Sequence, residues 1–284
     1  MVARILLLAA LLPAAAWSCE RAGDSSRIAV AGGSITEIVY LLGAQDRLAA
    51  VDTTSNYPPE ATELPSIGYV RALSAEGMLS LNPTLILGED DMGPPEVLDQ
   101  IRSTNVEIMR LEEVHTGQGI IDKVRCVGQV LDLQERADQL IAGELEPALE
   151  ELRALERGTV KAAVLLNLRD GTPTAAGAET SGNGLLAMAG ATNVFGSVDG
   201  WKPMSLEAMV KANPDVIVMP ERGVQAAGGV DGIVANPAVR LTTAGRNRQI
   251  VALDGMTMLG FGPRTLGAAA QLAEAFKDAS PNAQ

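Results

Sequence analysis

Histidine and aromatic side chains are the scarcest chemistry in this sequence. Three Tyr, three Phe and two Trp make up 3% of its 284 residues, and the one histidine is His115. A Ser-His-Asp triad would have to run through His115, and no Gly-x-Ser-x-Gly elbow accompanies it. There is no Gly-x-x-x-x-Gly-Lys-Ser/Thr phosphate loop, no His-Glu-x-x-His motif and no Cys-x-x-Cys pair. These absences argue against an enzyme. Basic residues are short as well: 22 Lys and Arg stand against 35 Asp and Glu, a formal net charge of −13. Such a surface repels nucleic acid. It also offers an anionic small ligand no long-range attraction, so a few local cations must hold one.

What is present begins with a leader. Arg4 precedes the apolar run from Ile5 to Leu12, then Ala14-Ala15-Ala16 and Trp17-Ser18-Cys19. A charged start, a short apolar stretch and a small-residue site read as a secretory signal over residues 1–18. The run is too short to span a bilayer, which takes about 18 or more apolar residues. Cleavage after the alanines gives a soluble periplasmic protein, the favoured reading; cleavage before Cys19 would leave a possible lipid anchor there. Cys126 sits in a helical stretch and reads as a small buried apolar residue. A Cys19–Cys126 disulfide is conceivable, but it is disfavoured because it would tie a terminus to a mid-chain helix.

Short apolar strands alternating with helices predict an α/β fold with open, mostly parallel sheets. Strands are expected near 27–31, 84–87, 108–111, 159–166 and 216–219. Ser34-Ile35-Thr36-Glu37 reads as a capping box opening a helix that ends at Gly43. The pattern then occurs twice. Ser74 through Leu87, with Glu76, Met78 and Asn82-Pro83, aligns with Ser205 through Val218, with Glu207, Met209 and Asn213-Pro214. Each copy is a Ser-capped helix that stops at Asn-Pro and runs into a strand. Gly43-Ala44 recurs as Gly190-Ala191. The expected organisation is an N-terminal lobe over 27–118, a stiff helical link over 119–157 interrupted at Pro147, and a C-terminal lobe over 158–280. The two Rossmann-like lobes would hold a ligand in the cleft between them.

Two such lobes behind a signal sequence resemble the substrate-binding proteins of importers for metal chelates. Within that class, Gly68-Tyr69-Val70-Arg71-Ala72-Leu73-Ser74-Ala75-Glu76-Gly77 is similar to the signature segment of periplasmic haem-binding proteins. Lys202 to Glu207, Gly228 to Gly232 and Gly260 to Thr265 add to the resemblance, which covers residues 27–277. It implies haem b as cargo, with Tyr69 on the iron. Phenolate is a hard donor suited to ferric haem; free Tyr ionises near pH 10, so it needs the iron and neighbouring cations. Arg71 is placed to help. Arg71 aligns with Lys202, so each lobe is expected to offer a cation to the cleft. Arg222, after the strand at 216–219, is a further candidate for a haem propionate.

Some relatives add a histidine within the segment corresponding to 167–174; this chain has none there, so five-coordinate iron is the simpler expectation. His115 reads as a solvated loop residue rather than a ligand. Glu76 and Glu207, alike in the two copies, are implied to dock a monomeric binding protein on a two-fold ABC permease at the inner membrane. The nearest alternative is the same fold carrying cobalamin or a ferric siderophore. An α/β enzyme and a purely structural lipoprotein are more distant ones.

Overall fold

The computed structural model describes residues 19–155 and 159–279; the signal segment lies outside the described residues. The N-terminal sheet is wholly parallel. Its strands are β1 (Ile28–Ala31), β2 (Leu48–Val51), β5 (Leu85–Glu89) and β6 (Glu107–Leu111), in the spatial order β2-β1-β5-β6. Between them in sequence lies a small antiparallel hairpin of β3 (Gly68–Tyr69) and β4 (Ala72–Leu73). The second sheet repeats the plan. Strands β7 (Lys161–Arg169), β9 (Thr192–Asn193), β11 (Val216–Pro220) and β12 (Ile250–Leu253) are parallel in the order β9-β7-β11-β12. Two antiparallel strands, β8 (Thr172–Ala176) and β10 (Trp201–Pro203), extend the β7 side.

The duplication is visible atom by atom. Ser74 Oγ accepts from Gly77 N at 3.3 Å, and Ser205 Oγ accepts from Ala208 N at 3.2 Å. Asn82 and Asn213 are both left-handed, with φ of 49° and 44°, and the prolines after them stop each helix. Ala44 N and Ala191 N each return a 3.0 Å bond to a carbonyl five residues back. In each lobe the next parallel strand adds on one side of the first and the later strands add on the other, so a switch point opens at β1/β5 and another at β7/β11. Crevices at such points are where α/β sheets bind ligands.

Three sequence expectations change. Gly32 (φ 148°), not Ser34, caps the first helix, Gly33–Leu41. Asp52 and Thr54 take its free N–H groups instead, at 3.1 and 2.9 Å from Gly32 and Gly33. Ser34 and Glu37 are buried and bond to other elements. The link has two helical parts, Gly117–Val130 and residues 134–154, with left-handed Asp132 turning between them. At Pro147 the α-helix restarts: Glu146–Ala154 follows a π turn over Ile141–Leu145 and holds the proline in its first turn, where its missing donor is tolerated. The third change is the disulfide. Cys19 and Cys126 are bonded, with Cα atoms 5.3 Å apart. Ala22 N donates to Val130 O at 3.1 Å, so the segment after Cys19 lies along the helix that carries Cys126.

One hydrophobic cluster joins the inner faces of both sheets. It runs through Val30 and Leu87, the link residues Ile120, Val124 and Val127, and Val164, Val218 and Leu272. Each lobe adds a smaller cluster on its outer face. A shared core of this kind makes the connection stiff. No helix among the described residues is long and apolar enough to cross a membrane.

Candidate functional site

A cleft of about 1380 Å³ lies between the lobes, over the carboxyl ends of both sheets. That exceeds the roughly 300–1,000 Å³ of pockets for drug-sized ligands, so it suits a large, multi-ring molecule. Val70, Leu166, Trp201, Met256 and Leu259 give it apolar walls.

Tyr69 and Arg71 line it. They stand on the β3–β4 hairpin, whose tip is pinned from beneath: Gly93 N donates to Val70 O at 2.9 Å, and Leu73 N donates to Gly93 O at 2.8 Å. Val70 is buried, which turns Tyr69 outward with 41% of its surface exposed. The Arg71 guanidinium donates to the Tyr69 hydroxyl and pairs with Asp91. Partial burial works against its charge, but Asp91 and Tyr69 outweigh that and raise its pKa.

Arg222 also lines the cleft, just past β11 at the second switch point. Lys202 does not line the cleft. It matches Arg71 in the repeat, yet Arg71 tips a hairpin whereas Lys202 lies within strand β10, paired to Ala175 of β8. Side chains alternate along a strand, and it is the neighbour Trp201 that faces the cavity. Glu76 and Glu207 occupy the second position of their helices and are exposed outside the cleft. Glu207 is held below its ordinary value by its own backbone N–H and the Ser205 hydroxyl.

His115 is a half-buried wall residue. Its Nε2 lies 3.5 Å from Glu113 Oε2, and its ring meets Phe261 edge-on at 4.9 Å. Gly184 allows this packing, because a Cβ there would sit 2.3 Å from the His115 carbonyl. Tyr57, the other loop tyrosine, stacks under the Arg264 guanidinium at 3.8 Å.

The sequence reading missed the cleft floor. Lys123, 2% exposed at its side chain, reaches up from the link helix to pair with Glu113 and to donate to Ser34 Oγ at 3.1 Å. Ser34 Oγ in turn donates to Glu89 Oε1 at 3.0 Å. Burial would raise the Glu113 carboxyl, but Lys123 and His115 outweigh it and hold it low. The one available signal was an acid closing the apolar strand Leu85-Ile86-Leu87-Gly88-Glu89, at a switch point.

The sequence profile described as periplasmic binding protein matches residues 28–257. Among solved structures, the periplasmic heme-binding protein RhuT from Roseiflexus sp. RS-1, in apo form, is 38% identical with a TM-score of 0.85. That match covers 92% of this chain and 100% of the other. The periplasmic heme-binding protein HutB of Vibrio cholerae is 32% identical with a TM-score of 0.80, over 89% and 99% of the two chains. A vitamin B12-binding protein of Yersinia pseudotuberculosis is 27% identical, over 96% of this chain and 91% of its own.

Proposed function

Because the chain belongs to the periplasmic binding protein family, whose members are extracytoplasmic binding partners of ABC transporters rather than enzymes, we propose that its cleft carries haem b. The observation that carries the reading is the exposed Tyr69 with Arg71 donating to its hydroxyl, inside a cleft wide enough for a macrocycle. The Arg71 guanidinium donates to the phenol oxygen, and a tyrosine oxygen is a hard donor that suits ferric iron. Tyr69 holds the iron in this reading. Arg222, across the cleft, takes a propionate; Lys202 is left out because it does not reach the cavity. The likeness to two heme-binding proteins at 32–38% identity supports the same cargo.

The protein acts as a monomer that hands haem to a dimeric inner-membrane permease. Glu76 and Glu207, exposed in matching places on the two lobes, supply the docking acids. We assign 27–118 and 158–280 to the lobes and 119–157 to the link. The location is the periplasm; the unlipidated form is the reading supported by the Cys19–Cys126 bond, because a sulfur held in a disulfide is not free to take a lipid.

The second reading, cobalamin, rests on the 27% identity to vitamin B12-binding proteins. Calorimetric titration of mature protein with ferric haem and with cyanocobalamin separates the two. Saturable haem binding without cobalamin binding supports the proposal; the reverse replaces it.

A further inference from the structure

Arg71 and Arg222 do not by themselves make this cleft receptive to an anion, because carboxylates outnumber cations along its walls. Four of these carboxyls stand on the N-lobe side, Glu89, Asp90, Asp91 and Glu113, and two of them are neutralised in place. Asp91 is paired with Arg71, and Glu113 with Lys123. Glu89 has no ion-pair partner of its own among the described residues. It is 8% exposed, lines the cavity, and ends β5 at the first switch point. The backbone is shaped to admit it: a Cβ on Gly32 would sit 2.7 Å from Glu89 Oε1.

The Gly32 backbone beside Glu89 itself donates its N–H to the buried Asp52 carboxylate. The helix Gly33–Leu41 presents the Ser34 hydroxyl, and the link helix presents Lys123. The segment after β6 presents Glu113, with His115 behind it. Its own loop carries Asp90 and Asp91. The C-terminal lobe contributes the Gly260 carbonyl, 3.5 Å from Lys123 Nζ. The half-buried Glu113 takes the lysine, whose other contacts go to Ser34 and the Gly260 carbonyl, so the buried Glu89 is linked to it through the Ser34 hydroxyl. A proton on Glu89 removes the surplus charge. Burial first, and then the Glu113 carboxylate, push the Glu89 carboxyl up to about 8.

We propose that Glu89 is the proton-holding residue of the cleft floor: the cleft accepts an anionic cargo while Glu89 is the neutral acid, and ionisation of Glu89 drives that cargo off. The inference rests on the haem reading, since ferric haem with its two propionates and a phenolate ligand is the anion in question. The proton costs nothing to place at neutral pH and is lost in mild alkali. The residue therefore tunes affinity without touching the iron.

The test is the affinity for ferric haem between pH 6.5 and 9.5, in wild type and Glu89→Gln. Gln keeps the shape and stays neutral, so it cancels the titration of haem, Tyr69 and every other group from the comparison. The expected result is equal affinity at pH 6.5 and a wild-type loss of about tenfold relative to Glu89→Gln by pH 9.5, as follows for one proton coupled by about one pK unit. Ser34→Ala guards against a misfolded Gln variant. Losing the hydroxyl that favours the charged form moves the wild-type midpoint upward, whereas a merely structural role for Glu89 leaves it in place. Saturable binding with the same pH slope in wild type and Glu89→Gln, or an unmoved midpoint in Ser34→Ala, overturns this inference alone. No saturable haem binding at any pH overturns the haem reading and this inference with it.

Discussion

Arg264 in the C-terminal lobe grips Glu37 in the N-terminal lobe with two groups at once: its Nε donates to Oε2 at 2.7 Å and its backbone N to Oε1 at 3.0 Å. The guanidinium carbon sits over the Tyr57 ring, 3.8 Å from its centre, and Thr257 Oγ1 accepts from Nη1 at 2.8 Å. The contact spans 227 residues of sequence and locks the two lobes beside the cleft. Glu37 is 4% exposed, so removing the guanidinium leaves a buried carboxylate without its charged partner and with the backbone N–H of residue 264 still on Oε1. Arg264→Met is expected to lower unfolding stability by about 2–4 kcal/mol, near the low end of values for broken buried pairs because the arginine is partly exposed. Urea denaturation measures it; a loss under about 1 kcal/mol means the pair is not a lock.

The disulfide closes a sequence separation of 107 residues. Cys126→Ser is expected to cost about 2–5 kcal/mol, and wild type with a reductant should match the variant. Thiol titration of the unfolded, unreduced protein should find no free sulfhydryl.

Stability should also fall with rising pH through Glu89. Its carboxyl moves from an ordinary 4.5 to about 8 in the fold. Between those values the folded state keeps a proton that the unfolded chain has released, so stability decreases as pH rises. The contribution is complete below about 4.5 and is lost as pH climbs through about 8. Glu113, held low, acts the other way: its contribution is present above its unfolded value and is lost as pH falls through its folded one. Urea midpoints at pH 6 and 8 should therefore differ more in wild type than in Glu89→Gln.

Docking is separable from cargo. Glu76→Ala with Glu207→Ala should leave haem affinity within about twofold, since neither side chain lines the cleft, while weakening binding to the cognate permease in nanodiscs. Equal permease binding by the double variant removes these acids from the interface.

How much of this was legible in the sequence follows the range of each interaction. Ser74…Asn82-Pro83 and Ser205…Asn213-Pro214 revealed the repeat because caps and left-handed stops are set within one helix. The repeat's offset also led to Lys202, and there it misled: the same spacing from Ser205 lands in a strand, since β8 is present to pair with it. Ser34 and Glu37 had the local pattern of a capping box, but burial gave both side chains distant partners, and Asp52 and Thr54 took over the cap. The Cys19–Cys126 bond and the Lys123–Glu113–Ser34–Glu89 chain depend on elements far apart in sequence. No local pattern announces them.

We propose that Tyr69 holds ferric haem with Arg71 at its oxygen. The most direct test is the absorption spectrum of ferric haem titrated into mature wild type and Tyr69→Phe. A saturable one-to-one complex with high-spin ferric-phenolate features is expected in wild type and is lost in Tyr69→Phe. A saturable spectrum that is unchanged in Tyr69→Phe would contradict it.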